Sequence, residues 1–439
     1  MSPELTTILM LLSLFVLLLG FPIAFGVGTV GLVFGLLTSG SAYLYMIPMR
    51  LVGGTLSAYI LAAVPLFIFM GNMMQTSGVA ERAFAILHRW FGGLNGGLAI
   101  ATVVLAVLFA ATTGVVGASE TAIGLLAVPA MLKGRYSQSL ASGCVCAGGT
   151  LGILIPPSIM LILYAPMAGV SVIQMFAGAV IPGLLLGTVY VVYILIRCAL
   201  NRELGPAVET EDRLAFFSRK SLSMGAKYLF PPALLIFAVL GSIFFGVASP
   251  TEAGAVGSLG TVILSICYRR FTWYVLLDNC YATLRITAMI IFIAMAANMF
   301  TGAFLSAGCG QVITNFLLSL GFGSWGIFLT VLVIILVMGM FIDWIGILLI
   351  VVPIFSPMLL KMGFDPLWVG IVICTSLQIS FLTPPFAYSI FYLKGLDLGL
   401  SLGSMYVGII PFVLLQILVV VITLIFPQTC LWLPKLLAG

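Results

Sequence analysis

The stretch GGTLGILIPPSIMLILYAP, residues 148–166, has the composition of a membrane span but a break at its centre. Pro156 and Pro157 stand side by side among apolar residues. Proline donates no backbone hydrogen bond and disfavours helical geometry in the residue before it, so the pair predicts unwinding around Ile155–Pro157. Unpaired carbonyl groups are costly inside a bilayer unless they line a cavity or bind an ion. The break therefore predicts a binding site, with carbonyl groups for a cation and the next helix start for an anion.

The overall composition indicates a polytopic, all-α membrane protein. Of the 439 residues, 62% are hydrophobic and only 7% are charged, whereas a soluble domain carries about 25% charged residues. Apolar runs of spanning length recur along the whole chain, the first of them without the features of a cleaved signal peptide. The single histidine among eight cysteines argues against a zinc site. The sequence has no basic stripe of the kind that binds nucleic acid, so no nucleic-acid partner is expected. The apolar composition makes the lipid bilayer the expected environment.

The chain also repeats itself. Four landmarks recur in the same order, at offsets of 228, 226, 224 and 228 residues: Pro22 with Pro250, Asn72 with Asn298, Pro129 with Pro353, and Pro156-Pro157 with Pro384-Pro385. This recurrence predicts two homologous halves, residues 1–200 and 228–439, joined by a polar linker over residues 201–227. A single proline would favour a repaired kink, but a proline pair at matching positions favours two binding sites.

Each half is predicted to cross the membrane five times and to carry one hairpin that enters and leaves on the same side. The first half comprises spans 5–19, 22–38, 53–76 and 175–197, hairpin 96–132 and broken span 140–165; the second comprises spans 229–247, 250–268, 280–306 and 403–433, hairpin 325–360 and broken span 367–393. An odd number of crossings makes the second half inverted relative to the first. With the linker in the cytoplasm, fourteen of the seventeen Lys and Arg residues fall on that side. Only Arg50, Lys361 and Lys435 do not.

Polar residues stand near both hairpin tips, and several interpretations of them stay open. Glu120 and Asp343 are intramembrane carboxylates that could neutralise a cation, carry a proton or cap a helix. Glu252 is expected to cap its helix and Asp278 to be solvated. Asn72 and Asn298 could hydrogen-bond between helices or face a substrate.

These motifs resemble the large membrane subunit (DctM-like) of a TRAP (tripartite ATP-independent periplasmic) transporter over nearly the whole chain. The most specific segments are GGLAIATVVLAVLFAATTGVVGASE (96–120), GGTLGILIPPSI (148–159), SPTEAGAVG (249–257), GMFIDWIGILLIVVPIFSPML (339–359), GFDPLWVG (363–370) and FLTPPF (381–386). The resemblance implies an ion-transporter-superfamily fold of elevator type, with two inverted-topology repeats that each contain a re-entrant helical hairpin and a broken transmembrane helix.

The same resemblance implies a function and its partners. It implies a multi-pass secondary transporter of the bacterial inner membrane that imports an organic acid anion, a carboxylate, with sodium. A small four-helix membrane subunit, expected as a separate chain, and a periplasmic substrate-binding protein are the implied partners. No cofactor besides Na⁺ as the coupling ion, and no catalytic residue, is expected.

Site residues follow from the resemblance by position, with backbone carbonyl groups as the main sodium ligands. The first sodium site would comprise Gly117, Ser119, Gly149, Gly152 and Pro156. The second would comprise Gly339, Asp343, Thr375, Thr383 and Pro384. The substrate would bind between them, at Ser119, Glu120, Ser158, Asp343 and Thr383.

The chain departs from the family pattern at two places. Phe386-Ala387 follows the second proline pair where relatives that handle dicarboxylates or sialic acid often have Val-Gly, and Glu120 stands where many relatives have only small residues. The segment around SFLTPPF looks more like the branch associated with mannitol, chloroaromatic and 2-oxo acids.

Other functions remain as alternatives. A stand-alone Na⁺- or H⁺-coupled organic anion carrier would need no binding protein. An intramembrane hydrolase built on Ser119 and Glu120 is disfavoured because the only histidine, His88, falls in a predicted cytoplasmic loop. The absence of a GxxxxGK[ST] motif argues against an ATP-driven pump. Paired broken spans favour alternating access over a channel.

Overall fold

The protein is built mainly from α-helices. The computed structural model describes residues 2–18, 20–114, 116–207, 219–385 and 387–438, and no strand occurs in these ranges. The helices are α1 (Pro3–Leu18), α2 (Ile23–Ser39), α3 (Ala42–Arg50), α4 (Ala63–Thr76), α5 (Val79–Phe91), α6 (Gly97–Thr113), α7 (Val116–Lys133), α8 (Gln138–Thr150), α9 (Ile159–Ala168), α10 (Val172–Leu200), α11 (Arg219–Tyr228), α12 (Phe230–Phe244), α13 (Pro250–Cys267), α14 (Trp273–Ser306), α15 (Cys309–Ser319), α16 (Gly323–Gly339), α17 (Trp344–Lys361), α18 (Pro366–Leu382), α19 (Tyr388–Lys394), α20 (Leu402–Ile425) and α21 (Gln428–Ala438).

The predicted class, an all-α multi-pass membrane protein, is confirmed. Among the described residues, seven helical segments are long and apolar enough to cross a membrane: Tyr59–Thr76, Val116–Lys133, Val172–Leu200, Pro250–Cys267, Trp273–Ser306, Trp344–Lys361 and Leu402–Ile425. The shorter apolar helices are α1, α2, α6, α9, α12 and α18. Of the predicted linker, residues 208–218 lie outside the described ranges, and α11 occupies the end of it.

Two helices fall where the sequence analysis expected loops. The sequence analysis placed His88 in a loop, whereas the structure places it on helix α5. Helix α15 precedes α16 as α5 precedes α6. Each begins after a left-handed glycine, Gly78 or Gly308. The apolar face of α5 is buried while Glu81 and Arg82 stay on its polar side. Most other helices of this chain are almost wholly apolar. A short segment that mixes apolar with charged or polar residues is therefore easily taken for a loop.

The centre of the molecule is built around α8 and α18. Residues 140–150 of α8 and 367–382 of α18 are all buried. Helices α1, α2, α13, α14 and α20 instead turn large apolar side chains outwards, as helices that face lipid do. The two helices interrupted by proline pairs are therefore the most enclosed parts of the fold, where an interruption must be satisfied by protein or ligand.

Two half-buried asparagines form hydrogen bonds between helical segments. Asn72 Nδ2 donates to Thr283 Oγ1 at 3.3 Å, and Asn298 Nδ2 donates to Thr55 Oγ1 at 3.2 Å. The hydrogen-bonding interpretation of both asparagines is thus observed.

Glu252 forms a capping box with Ser249 at the start of α13, as expected from its position after a proline. Asp278 is exposed, which agrees with its predicted solvation.

The longest helix, α14, packs closely along α2. A Cβ atom added at Gly31 would lie 2.7 Å from the backbone N and Cα of Phe300, whereas one added at Gly28 would lie 3.4 Å from the Ala296 side chain. Backbone atoms cannot move aside as a flexible side chain can, so Gly31 fixes the distance between the two helices.

We expect Gly31→Ala to destabilise the protein by about 1–3 kcal/mol, since the added methyl group overpacks the α2–α14 contact. Gly28→Ala is the matched control, and its loss of backbone freedom should leave stability equal or slightly higher. The measurement is the temperature at which purified protein in detergent loses its monodisperse gel-filtration peak. Equal midpoints for the two variants would show that α2 and α14 are further apart than described.

Candidate binding site between the helix breaks

Four helix interruptions lie in the two halves of the chain. Helix α6 ends at Thr113, the next residue is Gly114, whose φ of +59° suits glycine, and α7 begins at Val116. Helix α16 is separated from α17 by Met340–Asp343. The helices α8 and α9, and likewise α18 and α19, are interrupted at the proline pairs, and both the Pro156-Pro157 and the Pro384-Pro385 peptide bonds are cis. Both proline pairs therefore interrupt the helix at the positions that the sequence indicates.

The first proline break satisfies part of its own backbone. Leu151–Ile153 forms one 3₁₀ turn, and the Leu151 carbonyl accepts from the amides of Leu154 and Ile155 at 3.1 and 3.0 Å. Ser158 is completely buried, and its hydroxyl donates to the Ile153 carbonyl. Ser158, which the sequence analysis expected at the substrate, therefore closes the break locally.

The second proline break contains a left-handed residue. Thr383 Oγ1 donates to the Ile379 carbonyl at 2.6 Å, and the Ala387 amide donates to the Thr383 carbonyl at 3.2 Å. Ala387 has a φ of +44°, which costs an alanine about 1–2 kcal/mol relative to glycine. Glycine adopts such a φ without this cost, so Ala387 introduces strain at the second break. Its neighbour Phe386 lies outside the described residues.

We call the junction of α6 and α7 the first tip and the junction of α16 and α17 the second tip. Side-chain oxygens form hydrogen bonds at both tips. Ser119 Oγ lies 2.5 Å from Thr113 Oγ1 and so connects α7 to the end of α6 across the first tip. Asp343 Oδ2 accepts from the Ile345 amide at 3.4 Å and caps α17 at the second tip. Helix capping by Asp343, one of the interpretations left open, is thus observed.

Glu120 has a different environment. It is completely buried in α7, and neither carboxyl oxygen has a hydrogen-bond partner among the described residues. Helix capping, one of its alternatives, is not observed, since the carboxyl accepts no backbone amide. A Cβ atom added at Gly149 of α8 would overlap the Glu120 side chain. Gly149 thus provides the space in which the Glu120 carboxyl sits.

A cavity of about 510 Å³ lies between the tips. Gly117 of the first tip and Asp343 of the second both line it, so the structure brings these two predicted site residues together. Ser119, Glu120, Ser158 and Thr383 are not among its lining residues. Their contact with substrate stays a prediction.

The beginnings of four helices also line this cavity: Pro22–Phe25 at α2, Val116 and Gly117 at α7, Ile159 at α9, and Asp343–Ile345 at α17. The first amides of a helix lack intrahelical partners, and the helix dipole adds positive potential at that end. No Lys or Arg side chain is among the lining residues. The positive ends of these helix dipoles, the Asp343 carboxylate and many apolar side chains together form the wall of the cavity.

Aromatic side chains complete the wall, and the sequence analysis missed them. Phe381, Tyr388 and Tyr392 line the cavity from α18 and α19. A Cβ atom at Gly117 would lie 2.8 Å from the Tyr392 ring, so the first tip rests directly on this tyrosine. The spacing of Tyr388 and Tyr392, one helical turn apart just after the second proline pair, was the available signal.

Gly339 and Thr375, which were predicted for the second sodium site, have different surroundings. Gly339 packs against Ser380, because an added Cβ atom would overlap the Ser380 side chain. The Ser380 hydroxyl is buried and has no hydrogen-bond partner among the described residues. Thr375 Oγ1 instead donates to the Ile371 carbonyl of its own helix at 2.7 Å. Ser380, which the sequence analysis did not select, is therefore the hydroxyl that faces the end of α16.

A family model and known sequences match this chain over nearly its whole length. Residues 9–429 match the family described as "Tripartite ATP-independent periplasmic transporter, DctM component". The C4-dicarboxylate TRAP transporter large permease protein DctM of Vibrio cholerae is 33% identical over 98% of both chains. The isethionate TRAP transporter permease protein DctMQ of Oleidesulfovibrio alaskensis is 28% identical over 96% of this chain and 65% of its own. The Alcanivorax borkumensis YdaH transporter shares the fold, with a TM-score of 0.65 over 96% of this chain and 98% of its own at 16% identity.

We expect Gly339→Ala to impair both thermal stability and any ligand-induced stabilisation, because its methyl group collides with Ser380. Ser380→Gly removes that side chain and should rescue the double variant, with an interaction energy of roughly 0.5–3 kcal/mol. The measurement is a double-mutant cycle of melting midpoints in detergent. Purely additive effects of the two substitutions would contradict the contact between α16 and α18.

Proposed function

The chain belongs to the DctM component family of tripartite ATP-independent periplasmic (TRAP) transporters and is a large permease subunit rather than an enzyme. From this membership we propose that it imports a small organic acid anion, a carboxylate, with Na⁺ as the coupling ion across the inner membrane of a bacterium. The observation that supports this most directly is the cavity of about 510 Å³ between the tips, which four helix beginnings line without any basic side chain.

The electrostatics of the cavity favour an anion accompanied by cations. Helix N-termini attract the anion, and the Asp343 carboxylate at the same wall would repel it unless a cation lies nearby. A coupled cation removes this conflict, and an inward-moving cation gains ~2.3 kcal/mol per 100 mV of membrane potential. Binding of the cation and the anion would therefore support each other.

We propose that residues 1–200 and 228–439 are inverted repeats and that the transporter works as an elevator. Helix beginnings recur at a nearly constant offset: Gly97 and Gly323, Gln138 and Pro366, and Val172 and Leu402 are 226, 228 and 230 residues apart. Helices α6 and α7, and likewise α16 and α17, would form the re-entrant hairpins. Each hairpin would move with the broken helix of its own half against the remaining, scaffold helices.

Two sodium sites would lie beside the proline breaks. The first would draw on the carbonyl and hydroxyl oxygens around Gly117, Ser119, Gly149, Gly152 and Pro156. The second would draw on Gly339, Asp343, Thr383 and Pro384, with the unpartnered Ser380 hydroxyl in place of Thr375. Oxygen ligands suit a hard cation, and no cluster of three or more His, Cys, Asp or Glu side chains occurs in the described part of the chain.

The partners proposed are a small membrane subunit and a periplasmic binding protein. The isethionate relative combines two components in one polypeptide, as its name DctMQ indicates, and this chain matches 65% of it. We propose that the small subunit of this transporter is a separate chain. The two relatives are named for C4-dicarboxylate and isethionate, so the anion itself should be identified by thermal-shift screening of the binding protein.

The test is uptake of that anion into proteoliposomes that contain the chain, the small subunit and the loaded binding protein. We expect uptake to require an inward sodium gradient and to increase with an inside-negative potential. Uptake that ignores an imposed sodium gradient would contradict sodium coupling. Uptake that persists without both partners would instead identify a stand-alone carrier.

In the same assay, Asp343→Asn separates charge from structure, because asparagine caps a helix about as well as aspartate. We expect the sodium concentration for half-maximal uptake to rise roughly tenfold, which corresponds to about 1.4 kcal/mol of lost attraction. Asp278→Asn, which removes an exposed carboxylate on α14, is the control. An unchanged sodium dependence in Asp343→Asn would exclude this carboxylate from the cation site.

A further inference from the structure

A second cavity, of about 250 Å³, lies next to the cavity between the tips. Helices α9, α14 and α17 line both cavities. Along α14, the wall passes from residues 286–293 in the cavity between the tips to residues 294–301 in the second one. Ile290 and Asn298, one in each wall, are separated by ~12 Å of helix at a rise of about 1.5 Å per residue. The two cavities therefore follow each other along the same three helices.

The second cavity lies toward the side of the membrane that the predicted topology assigns to the outside. Along α17, the wall passes from residues 343–345 to Leu349 and Pro353, and this helix ends at Lys361. Lys361 is one of the basic residues that the predicted topology places away from the cytoplasm. We call this second cavity the outer cavity.

Polar side chains line the outer cavity from two segments. Asn298 and Thr301 belong to α14, and Thr55 belongs to the π-helical turn Leu51–Leu56. Asn298 Nδ2 donates to Thr55 Oγ1 at 3.2 Å and to the Arg50 carbonyl at 3.4 Å, which fixes this turn against α14. The Thr301 hydroxyl forms no hydrogen bond among the described residues, so it can donate to a ligand. Turns of this π-helical kind are rare and occur frequently at functional sites.

The Arg50 guanidinium lies at one end of this polar wall. A Cβ atom added at Gly302 would lie 2.8 Å from Arg50 Nε and 2.9 Å from its Cζ, so the guanidinium covers Gly302. Gly302 follows Asn298 by four residues, which places both on one face of α14. Gly54 follows Arg50 by four residues and packs against the Asn298 amide group, where an added Cβ atom would overlap it. The guanidinium thus lies one helical turn beyond the polar wall.

The positive charge of Arg50 is not neutralised by the surrounding protein. Arg50 forms no ion pair within the described ranges. The sequence contains no Asp or Glu at positions 5–80, 279–342 or 344–364, which include most of the segments around the outer cavity. A cavity with an unpaired charge at its end attracts ions of the opposite sign. The outer cavity therefore selects for anions.

The corresponding place in the first half of the chain is filled by protein. Asn72, which corresponds to Asn298 at an offset of 226 residues, donates to Thr283 at 3.3 Å. Beside it, Gly71 packs onto the end of α6, because an added Cβ atom would lie 2.6 Å from the Thr113 Cα atom. Next to Asn298 stands the outer cavity instead, and no residue of α16, the predicted counterpart of α6, lines it. The second half thus keeps room for a ligand where the first half does not.

We propose that the outer cavity is an entry site, at which Arg50 binds the carboxylate group of the imported anion before the anion reaches the cavity between the tips. The planar guanidinium pairs with a carboxylate through two parallel hydrogen bonds. The volume equals that of about eight water molecules, at roughly 30 Å³ each, and so suits a compact organic acid. The cavity between the tips has no basic side chain that would compete with Arg50 for the anion. This inference rests on the proposed transport function.

The test measures the access of charged thiol reagents to the outer cavity in spheroplasts that express the chain with its small subunit. Thr301→Cys places a thiol in the cavity, and Cys267→Ser with Cys280→Ser removes the exposed native thiols, since the other cysteines are buried. At low ionic strength and without binding protein, we expect anionic sulfonatoethyl methanethiosulfonate to modify this thiol roughly tenfold faster than cationic trimethylammonioethyl methanethiosulfonate, relative to a free thiol. Mass spectrometry of the modified chain gives both rates.

Arg50→Gln should remove this preference, and Arg50→Lys, which keeps the charge, should retain most of it. Lys435→Gln, which removes an exposed charge elsewhere on the predicted outer side, is the control and should change nothing. An equal preference with and without Arg50→Gln would overturn the proposal, and so would a Thr301→Cys thiol that neither reagent reaches. Ala58→Cys, which lines the same cavity, is a second reporter if Thr301→Cys does not fold.

Uptake in the proteoliposomes of the sodium assay separates this inference from the proposed function. Arg50→Gln should lower the initial rate several-fold and weaken the decrease in rate caused by added KCl, because salt screens the attraction of Arg50 for an anion. The sodium concentration for half-maximal uptake should stay unchanged, since Arg50 belongs to neither proposed sodium site. Unaltered uptake in Arg50→Gln would overturn the entry role and leave the proposed function intact. If the wild type shows no sodium-driven uptake, the proposed function fails, and the reagent rates still decide whether the outer cavity selects anions.

Discussion

A backbone amide or carbonyl at the centre of a bilayer has no water to bind, and this constraint governs the arrangement of the whole molecule. The two proline pairs interrupt helices in the most enclosed part of the fold. Hydroxyl groups repair some of the interruption, as Ser158 and Thr383 do. The beginnings of α2, α7, α9 and α17 and the last turn of α18 line one cavity. A feature that would be a defect in an ordinary span lies here where we propose that charged solutes bind.

Close contacts at glycine residues fix the positions of the helices around the breaks relative to one another. Gly149 admits the Glu120 side chain, Gly339 admits Ser380, and Gly117 lies against Tyr392. In each case the partner belongs to a different helix and supplies a polar atom near the site. The glycines therefore do more than allow tight packing: they decide which polar groups can approach the breaks.

The sequence predicted the parts of this architecture that depend on local chemistry. Proline geometry indicated both helix breaks, and the capping pattern around Glu252 identified the start of α13. The amphipathic helices α5 and α15 were missed because their short apolar faces are interrupted by charged or polar residues. Ser158 was expected at the substrate, but a backbone carbonyl five residues earlier accepts its hydroxyl. The roles of Tyr392 and Ser380 depend on segments distant in the chain, which no local pattern reveals. The isolation of Glu120 likewise depends on how α8 and α19 close around it.

The lack of basic side chains in the cavity wall has an evolutionary consequence. Backbone amides belong to every residue type except proline, so an ordinary point mutation would leave the proposed attraction for an anion in place. Replacing Phe381, Tyr388 or Tyr392 would instead reshape the wall around the uncharged part of the solute. Such a transporter can acquire a new solute through changes in its aromatic lining, while the backbone groups that would hold the charge are inherited unchanged.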